Sequence, residues 1–203
     1  MGLIAKHIFH HTRIISLFEE KFTFKTDIIN NVKHYYERYW QDQETLSDFS
    51  YKWPIIKKFI PTDKDIKILD FGCGKGAMFS EIAKINPSAA LIGVDVSEKA
   101  LKSARKKVQN HSFILVKEGE KLPFKENCFD FIIASDVLEH IYDTELAFKE
   151  LCRVLKHNGK ILISVPYYGL VKNIIIALFF FDYIYEPTTP HIRFFTKKHC
   201  LNV

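Results

Sequence analysis

Four residues near the start of a predicted strand–helix unit have the types and spacing that chemistry on a polar ligand needs. Asp70 closes a β-branched run, and Gly72, Gly74 and Gly76 follow at alternate positions before a helix-like stretch. Glycine permits a tight turn and a close approach of the backbone to a ligand, because it has no Cβ. A strand, a glycine-rich turn and a helix in this order are typical of sites for nucleotide-like ligands.

Further polar side chains follow the later strands of the same pattern. Asp95 ends the next apolar run, where a doubly wound sheet often holds ribose hydroxyls with a carboxylate. A simpler interpretation is that Asp95 only introduces the next helix. The acidic loop Glu118–Glu120 follows the third run, and residues 135–140 (SDVLEH) follow the fourth. Because the carboxyl ends of parallel strands meet at one sheet edge, these clusters predict a single site.

The elements that must position these residues alternate between strand-like and helix-like patterns. The predicted strands cover residues 66–70, 90–94, 111–117, 129–134 and 160–165, and the predicted helices cover 77–85, 97–108 and 143–156. Asn158-Gly159 is expected to end the last helix with a left-handed glycine. The alternation predicts an α/β fold with a doubly wound, mainly parallel sheet and helices on both faces.

Composition predicts a single domain and excludes several classes of protein. The chain has 203 residues and a net charge of +5, and its basic residues are scattered, so no nucleic-acid partner is expected. Its four cysteines lack the spacing of a metal site or a disulfide framework, which favours a reducing, cytoplasmic location. No targeting segment is evident, and the longest apolar run, residues 174–181, is much shorter than the roughly 20 residues that span a bilayer.

Two N-terminal stretches are open to more than one interpretation. Residues 1–26 are amphipathic and predict either a packed helix or a contact with a membrane surface or partner. Tyr35, Tyr36, Tyr39 and Trp40 form a dense aromatic cluster. Such a cluster packs on the body of a fold or forms a lid over a cofactor, because tyrosine has an apolar face and a polar tip.

Five motifs in this order resemble the class I S-adenosylmethionine-dependent methyltransferases, in particular the small "type 11" group. The resemblance covers about residues 35–200, and the motifs are ILDFGCGKG (68–76), GVDVS (93–97), EGEKLPF (118–124), FDFIIASDVLEHI (129–141) and LCRVLKHNGKILISVP (151–166). It implies a Rossmann-like fold and S-adenosylmethionine as cofactor, with S-adenosylhomocysteine as product. The implied domain has an N-terminal helical cap (1–60), a cofactor-binding core (61–166) and an acceptor-side insertion with the C-terminus (167–203).

The resemblance assigns the methionine and ribose parts of the cofactor to residues of the first two motifs. Gly72, Cys73 and Gly74 would line the methionine part with backbone atoms. Asp70 would orient the glycine-rich turn and the amino group of the cofactor. Asp95 would accept hydrogen bonds from the ribose hydroxyls.

The later motifs are implied to hold the adenine and to surround the sulfonium. Val96 would pack on the adenine ring. Glu118 stands where the family usually has Asp, and would accept from the adenine amine beside Gly119. Ser135 and Asp136 would lie near the sulfonium, and no metal is expected.

An in-line transfer of the methyl group mainly requires alignment of donor and acceptor and exclusion of water. A hydroxyl acceptor would also benefit from a general base, for which His140 and His191 are candidates. Both histidines could instead have only structural roles. The apolar segment 169–185 predicts either a core or lid helix, or a site for a lipid-linked acceptor with peripheral membrane contact. We therefore expect O-methylation of a small or lipid-linked molecule.

One departure from the family pattern leaves two further hypotheses open. The family continues with a helix and an antiparallel hairpin, which are expected to be missing here because the sequence stops at Val203. The chain could then be a non-catalytic or partner-completed S-adenosylmethionine-binding protein. A nicotinamide-dependent oxidoreductase is disfavoured, because the glycine spacing is Gly-x-Gly-x-Gly and because Asp70 would repel a pyrophosphate.

Overall fold

A parallel sheet flanked by helices forms the body of the chain. The computed structural model describes residues 34–40, 49–109 and 111–166, together with 174 and 178. The described helices are α1 (residues 34–40), α2 (Phe49–Ile56), α3 (Ala77–Ile85), α4 (Glu98–Lys107) and α5 (Thr144–Val154), with 3₁₀ turns at Lys57–Phe59 and Leu138–His140. The described strands are β1 (Lys67–Phe71), β2 (Ala90–Asp95), β3 (Ser112–Leu115), β4 (Phe129–Ser135) and β5 (Leu155–Ser164).

The strand order is β3-β2-β1-β4-β5, and every neighbouring pair is parallel. Parallel neighbours need a crossover connection, which α3, α4 and α5 supply between successive strands. The chain moves outward from β1 in one direction to β2 and β3, and in the other direction to β4 and β5. The order therefore reverses at β1, and ligands of such sheets bind at the carboxyl edge beside this reversal. The predicted doubly wound parallel sheet is confirmed.

The core consists of two apolar clusters, one on each face of the sheet. Successive strand residues alternate between them: Ile68 belongs to the cluster with α3 and α4, and Leu69 to the cluster with α5. This alternation follows from the two-residue period of a strand. Ile56 and Ile60 pack into the first cluster and so attach α2 to the body of the fold. None of the described helices is long and apolar enough to cross a bilayer.

Two helices begin at side chains that the sequence identifies as caps. The Ser97 hydroxyl accepts a hydrogen bond from the Ala100 amide at 3.2 Å, and the Asp143 carboxylate accepts one from the Leu146 amide at 3.0 Å. Each cap satisfies an amide of the first turn that has no partner within the helix. The caps fix where α4 and α5 start, just beyond the carboxyl edge of the sheet.

The predicted end of α5 is wrong. The helix stops at Val154, and Leu155 is already extended with ψ 138°. The register shows why: Phe129 pairs with Leu155, whereas Phe131 pairs with Lys160, so residues 156–159 form an irregularity within β5. Asn158-Gly159 lies in this irregularity and not at a helix end, and Gly159 is not among the glycines with positive φ. The predictions for residues 1–33, 41–48 and 167–203, His191 included, lie outside the described residues, apart from the single positions 174 and 178.

An ion pair between the half-buried Arg153 and the buried Glu150 fixes the connection between β3 and β4. The Arg153 guanidinium donates to both carboxylate oxygens of Glu150 at 2.7 and 2.9 Å and to the carbonyls of Leu122 and Phe124. Glu150 also accepts from the Leu122 amide at 2.8 Å. The forked geometry of arginine makes these contacts possible together. The same connection carries Glu118 at its start, so this network positions part of the sheet edge.

We expect Arg153→Ala to lower the free energy of unfolding by about 2–4 kcal/mol, because it leaves the Glu150 carboxylate buried without its cation. Urea unfolding measures this loss. Lys149→Ala is the matched control in the same helix, since Lys149 forms an exposed pair with Glu145 and exposed pairs contribute little. Equal unfolding midpoints for the two variants would contradict the assigned role of the network.

Candidate functional site

The glycine-rich turn between β1 and α3 is packed so closely that it excludes larger residues. Gly72 and Gly74 have φ of 77° and 51°. A Cβ on Gly72 would collide with the Val137 side chain, and one on Gly74 would lie 2.6 Å from the Trp40 ring. The Gly72 amide donates to the Val94 carbonyl at 2.8 Å, which ties the turn to the end of β2. The sequence therefore needs glycine at both positions for conformation and for space.

The Asp95 carboxylate connects this turn to the start of α4. Its Oδ2 accepts from the Gly74 amide and its Oδ1 from the Ser97 amide, both at 2.8 Å. Burial raises the pKa of Asp95 to about 6, although the amides of Ser97, Gly74 and Val96 oppose this rise. Each oxygen keeps capacity for a further donor, because a carboxylate oxygen has two lone pairs. Asp95 thus lies at the end of β2, where the sequence predicts it. It also holds the glycine-rich turn in place.

Asp70 is a second buried carboxylate at the same edge. Among the described residues, its Oδ2 is buried and has no hydrogen-bond partner. Burial raises the pKa of Asp70 to about 7, and the nearby negative charge of Asp95 raises it further. An unpaired buried carboxylate oxygen is costly, and a cationic group of a ligand would satisfy it. This is the clearest sign in the structure of what the site binds.

Cys73 and Val96 lie beside these carboxylates. The Cys73 thiol is buried, and burial is the main reason why its pKa is raised well above the usual range. Its sulfur packs against Gly93 of β2, where an added Cβ would lie 2.8 Å away. Such a thiol stays protonated and acts as a small apolar wall. Val96 is half-buried and also faces the cavity described below.

Glu118 and Gly119 occupy the loop after β3. The Glu118 carboxylate accepts from the Tyr142 amide at 2.6 Å, which connects this loop to the segment before α5. Burial raises the pKa of Glu118, while the Tyr142 amide lowers it. Gly119 has φ of 76°, which allows the chain to turn here. The loop therefore places one carboxylate at the edge of the site.

Ser135 and Asp136 follow β4 and contact both β5 and the N-terminal helices. The Ser135 hydroxyl lies 2.7 Å from the Ser164 hydroxyl and donates to the Asp136 carboxylate at 3.2 Å. Asp136 has φ of 55°, a left-handed conformation that is uncommon outside glycine. Its Oδ1 forms an ion pair with the Lys52 ammonium of α2 at 2.7 Å. This pair attaches α2 to the sheet edge.

An aromatic cap formed by Tyr35, Tyr36, Tyr39 and Trp40 of α1 covers the carboxyl edge. Its rings contact one another, and Tyr36 also meets the His140 ring edge-on at 5.9 Å between centroids. The Glu37 carboxylate fixes α1 by accepting from the Glu98 amide at 2.8 Å, at the positive end of α4. Among the described residues the Tyr36 hydroxyl has no partner. Burial raises the pKa of Tyr36, so its phenol stays neutral and can donate.

These elements enclose a cavity of about 430 Å³ at the carboxyl edge. Its described lining includes eight carboxylates and three lysines, so a cationic ligand is favoured over an anionic one. His140 also lines the cavity, with its Nε2 3.9 Å from Glu139 Oε1. The lining contains all ten residues predicted to bind the cofactor, namely Asp70, Gly72, Cys73, Gly74, Asp95, Val96, Glu118, Gly119, Ser135 and Asp136. The structure brings them together, and their binding roles stay predictions.

Comparison with known proteins agrees with this geometry. Residues 62–177 match the family described as "Methyltransferase domain". The chain belongs to this methyltransferase family. The resemblance drawn from the five motifs is thereby confirmed, as is S-adenosylmethionine as the cofactor of the family.

Individual relatives differ in the atom that they methylate. The chain is 31% identical over 160 residues to the ubiquinone/menaquinone biosynthesis C-methyltransferase UbiE of Wigglesworthia glossinidia brevipalpis, covering 73% of this chain and 62% of that protein. It is 35% identical over 100 residues to the malonyl-[acyl-carrier protein] O-methyltransferase of Legionella pneumophila, covering 48% of this chain and 35% of that protein. The chain thus spans less than two thirds of the length of either relative.

A solved S-adenosylmethionine-dependent methyltransferase from Aquifex aeolicus shares the fold. The TM-score is 0.53 at 20% sequence identity, and the similarity covers 66% of this chain and 77% of that one. At this identity the comparison supports the architecture alone. It agrees with the parallel sheet and flanking helices observed here.

The residues present fit S-adenosylmethionine, which carries a positive sulfonium, an amino group and a ribose diol. The unpartnered oxygen of Asp70 suits the amino group, and the remaining lone pairs of Asp95 suit the diol. The excess of carboxylates around the cavity suits the overall positive charge. A pyrophosphate-containing dinucleotide would meet unfavourable charges at the same places.

Two residues at this sheet edge escaped the sequence analysis: Glu37 fixes α1, and Lys52 pairs with Asp136. The sequence analysis names Trp40 as part of the aromatic cluster but does not predict its contact with Gly74. The aromatic density of residues 35–40 signals that the segment packs somewhere, and a lid was one of its two interpretations. Nothing in the local sequence indicates that Glu37 reaches α4 or that Lys52 reaches Asp136, because these contacts join segments 61 and 84 positions apart.

We expect the affinity for S-adenosylmethionine to fall by about tenfold between pH 8 and pH 6, because the cation needs Asp70 ionised and protonation competes near pH 7. The amino group of the ligand, with a pKa near 8, stays protonated over the lower part of this range. Calorimetric titration across pH measures the effect. Asp70→Asn should weaken binding and leave only the smaller pH dependence of Asp95.

The stability of Asp70→Asn provides the control. The folded-state pKa of Asp70 lies above its ordinary value of 3.8, so its ionisation removes folding stability as pH rises from about 4 to 7. The variant should therefore be at least as stable as the wild type at pH 8. A wild-type affinity that does not change with pH would contradict the role of Asp70.

Proposed function

We propose that the chain transfers a methyl group from S-adenosylmethionine to an oxygen of a small or lipid-linked acceptor. The observation that carries this proposal is the buried oxygen of Asp70, which has no partner among the described residues, in a cavity whose described lining holds eight carboxylates and three lysines. When bound, S-adenosylmethionine supplies a methyl group already activated by its positive sulfur. The protein then has to align the acceptor with that group and exclude water.

The cofactor is held by residues from three strand ends in this proposal. Asp70 receives the amino group, and Asp95 receives the ribose hydroxyls while keeping its bonds to the Gly74 and Ser97 amides. Glu118 is left with one oxygen for the adenine amine, since its other oxygen accepts from Tyr142. The two Asp95 bonds hold the glycine-rich turn in one conformation, which suits a preorganised binding site.

The acceptor side is assigned to the aromatic cap and the end of β4. Tyr35, Tyr36 and Tyr39 offer a largely apolar wall, which suits an aromatic or lipid-linked acceptor better than a strongly polar one. Ser135 and the Lys52–Asp136 pair provide polar contacts at its base. We propose residues 1–60 as a cap over the core at 61–166, and the contacts of the described residues 34–40 and 49–60 support this arrangement. Peripheral membrane contact is part of this proposal.

His140 is proposed as the base that removes the acceptor proton. It lines the cavity against Tyr36, and the buried Glu139 carboxylate lies 3.9 Å from its Nε2. A negative charge at that distance favours the protonated imidazolium that proton removal creates. The protein would thus stabilise the proton on His140 while the methyl group is transferred.

Methylation of a ring carbon is a second candidate. The 31% identity to a C-methyltransferase over 73% of the chain favours it. Carbon methylation of a quinol also requires loss of a proton, so the same histidine serves either outcome. Turnover of a short-chain prenylated hydroquinone, followed by mass spectrometry and NMR of the product, separates oxygen from carbon. Cofactor binding without turnover of any acceptor would instead favour the non-catalytic hypothesis.

We expect S-adenosylmethionine and S-adenosylhomocysteine to bind with micromolar dissociation constants, about −8 kcal/mol. Asp95→Ala should weaken both by at least tenfold, because two charge-assisted hydrogen bonds to the ribose are lost. Isothermal titration calorimetry measures both constants. Asp63→Ala, an exposed carboxylate outside the cavity, is the matched control, and circular dichroism verifies folding. Absence of binding to the folded wild type would reject the proposal.

His140→Ala should lower kcat by about 10²–10⁴-fold, the usual contribution of a general base. The dissociation constant of the cofactor should stay within about twofold, because His140 acts on the acceptor. Steady-state kinetics at saturating cofactor measure kcat across pH, and its acidic limb should disappear with the histidine. Calorimetry measures the dissociation constant. His157→Ala, an exposed histidine in β5, is the control. An unchanged kcat for His140→Ala would assign the histidine a structural role.

A further inference from the structure

α2 and the 3₁₀ turn after it expose three large apolar side chains. Tyr51 and Ile55 lie in α2 and Phe59 lies in the turn, and their exposed fractions are 64%, 60% and 59%. Tyr51 and Ile55 share one side of the helix, because they are four residues apart, and Phe59 continues the exposed apolar set at the end of the same segment. We call these three residues the outer stripe. Single exposed apolar residues are normal on a protein surface, whereas a contiguous set marks a contact surface.

The opposite side of the same segment attaches it to the fold. Ile56 and Ile60 are buried in the core cluster, and Trp53 packs against that cluster and stacks on Phe49. The Lys52–Asp136 ion pair adds a polar attachment at the carboxyl edge. The segment is therefore anchored to the core by its other side. The outer stripe is exposed even though the segment that carries it is firmly packed.

The charges within the segment that carries the outer stripe have one sign. Lys57 and Lys58 are exposed in the 3₁₀ turn that extends α2, and residues 49–60 contain no aspartate or glutamate. Apolar and aromatic residues flanked by lysines suit an anionic lipid surface, where the rings enter the interface and the ammonium groups meet phosphates. Helix α4 is a useful contrast, because its lysines are exposed while its apolar residues are buried.

The size of the outer stripe favours a lipid surface over a protein partner. Three side chains of this kind, each somewhat more than half exposed, offer on the order of 300 Å². A stable protein–protein interface takes about 800 Å² from each partner. Binding to a bilayer requires no minimum contact area of this kind, because a few inserted side chains and nearby basic residues together give reversible binding.

We infer that the outer stripe, with Lys57 and Lys58, docks the protein on an anionic membrane surface. Phe49 and Lys52 on the same helix line the cavity, so docking would place the cavity close to the lipid headgroups. An acceptor dissolved in the membrane would then reach the site without crossing much water. This last step rests on the proposed function, whereas the docking itself requires only the surface of α2.

Cosedimentation with vesicles tests the docking. The wild-type chain should bind vesicles of phosphatidylcholine with 30 mol% phosphatidylglycerol at least tenfold more tightly than vesicles of phosphatidylcholine alone. Ile55→Glu/Phe59→Glu should weaken binding to the anionic vesicles at least tenfold. Lys57→Glu/Lys58→Glu should weaken it by a similar factor, and added salt should reduce the wild-type binding because the lysine contribution is screened.

Lys102→Glu/Lys106→Glu on α4 is the matched control, since it makes the same charge change at two exposed lysines away from the outer stripe. It should retain most of the binding. If both double lysine variants lost vesicle binding to the same extent, the binding would come from general charge attraction and not from docking of the outer stripe. That result would overturn the inference. Failure of the folded wild type to bind, or a dimer in sedimentation velocity that Ile55→Glu/Phe59→Glu dissolves, would also overturn it.

Cofactor titration of the same variants separates this inference from the proposed function. None of the substituted residues lines the cavity, so all three double variants should bind S-adenosylmethionine like the wild type. Loss of vesicle binding with intact cofactor binding supports the inference as stated. Vesicle binding by a wild-type chain that does not bind the cofactor would leave the docking in place and reject the methyltransferase activity.

Discussion

The arrangement of the site depends on one carboxylate, that of Asp95. Its two oxygens accept from the Gly74 amide in the first turn and from the Ser97 amide at the start of α4. These bonds join β1 to β2 at the carboxyl edge, where the glycine-rich turn would otherwise expose unpaired amides to a ligand cavity. Ser97 in turn caps α4 through its hydroxyl. One side chain therefore sets both the turn and the helix start, at the position proposed for the ribose hydroxyls.

The second buried carboxylate shows a conflict between stability and function. Asp70 has an oxygen without a partner among the described residues, and burial raises its pKa to about 7. Ionising such a group costs folding free energy, and an asparagine of the same shape would avoid most of that cost. Its presence is explained if a cation completes the site, because the unfavourable charge then becomes binding energy. The excess of carboxylates around the cavity fits the same explanation.

The sequence predicts the sheet and the ligand edge well, because both arise from local patterns. Buried strands appear as apolar runs, and Ser97 and Asp143 identify the helix starts by their type and position. Contacts between distant segments leave no such pattern. The pairing of Phe131 with Lys160 moves Asn158-Gly159 from a helix end into a strand irregularity, and only the register reveals this. The contact of Glu37 with α4 is hidden for the same reason, since a glutamate on a helix is usually a solvated residue.

The N-terminal helices connect the cofactor half of the site to its surroundings. Trp40 packs on Gly74, Glu37 meets the amide end of α4, and Lys52 pairs with Asp136 at the end of β4. Because packed elements move as units, a shift of these helices would displace both the glycine-rich turn and the proposed acceptor side. The same α2 that carries Lys52 presents Tyr51 and Ile55 outward, and Phe59 follows in the adjoining 3₁₀ turn. Whatever binds that outer surface is thus joined to the cavity by a single helix, since Phe49 and Lys52 line the cavity.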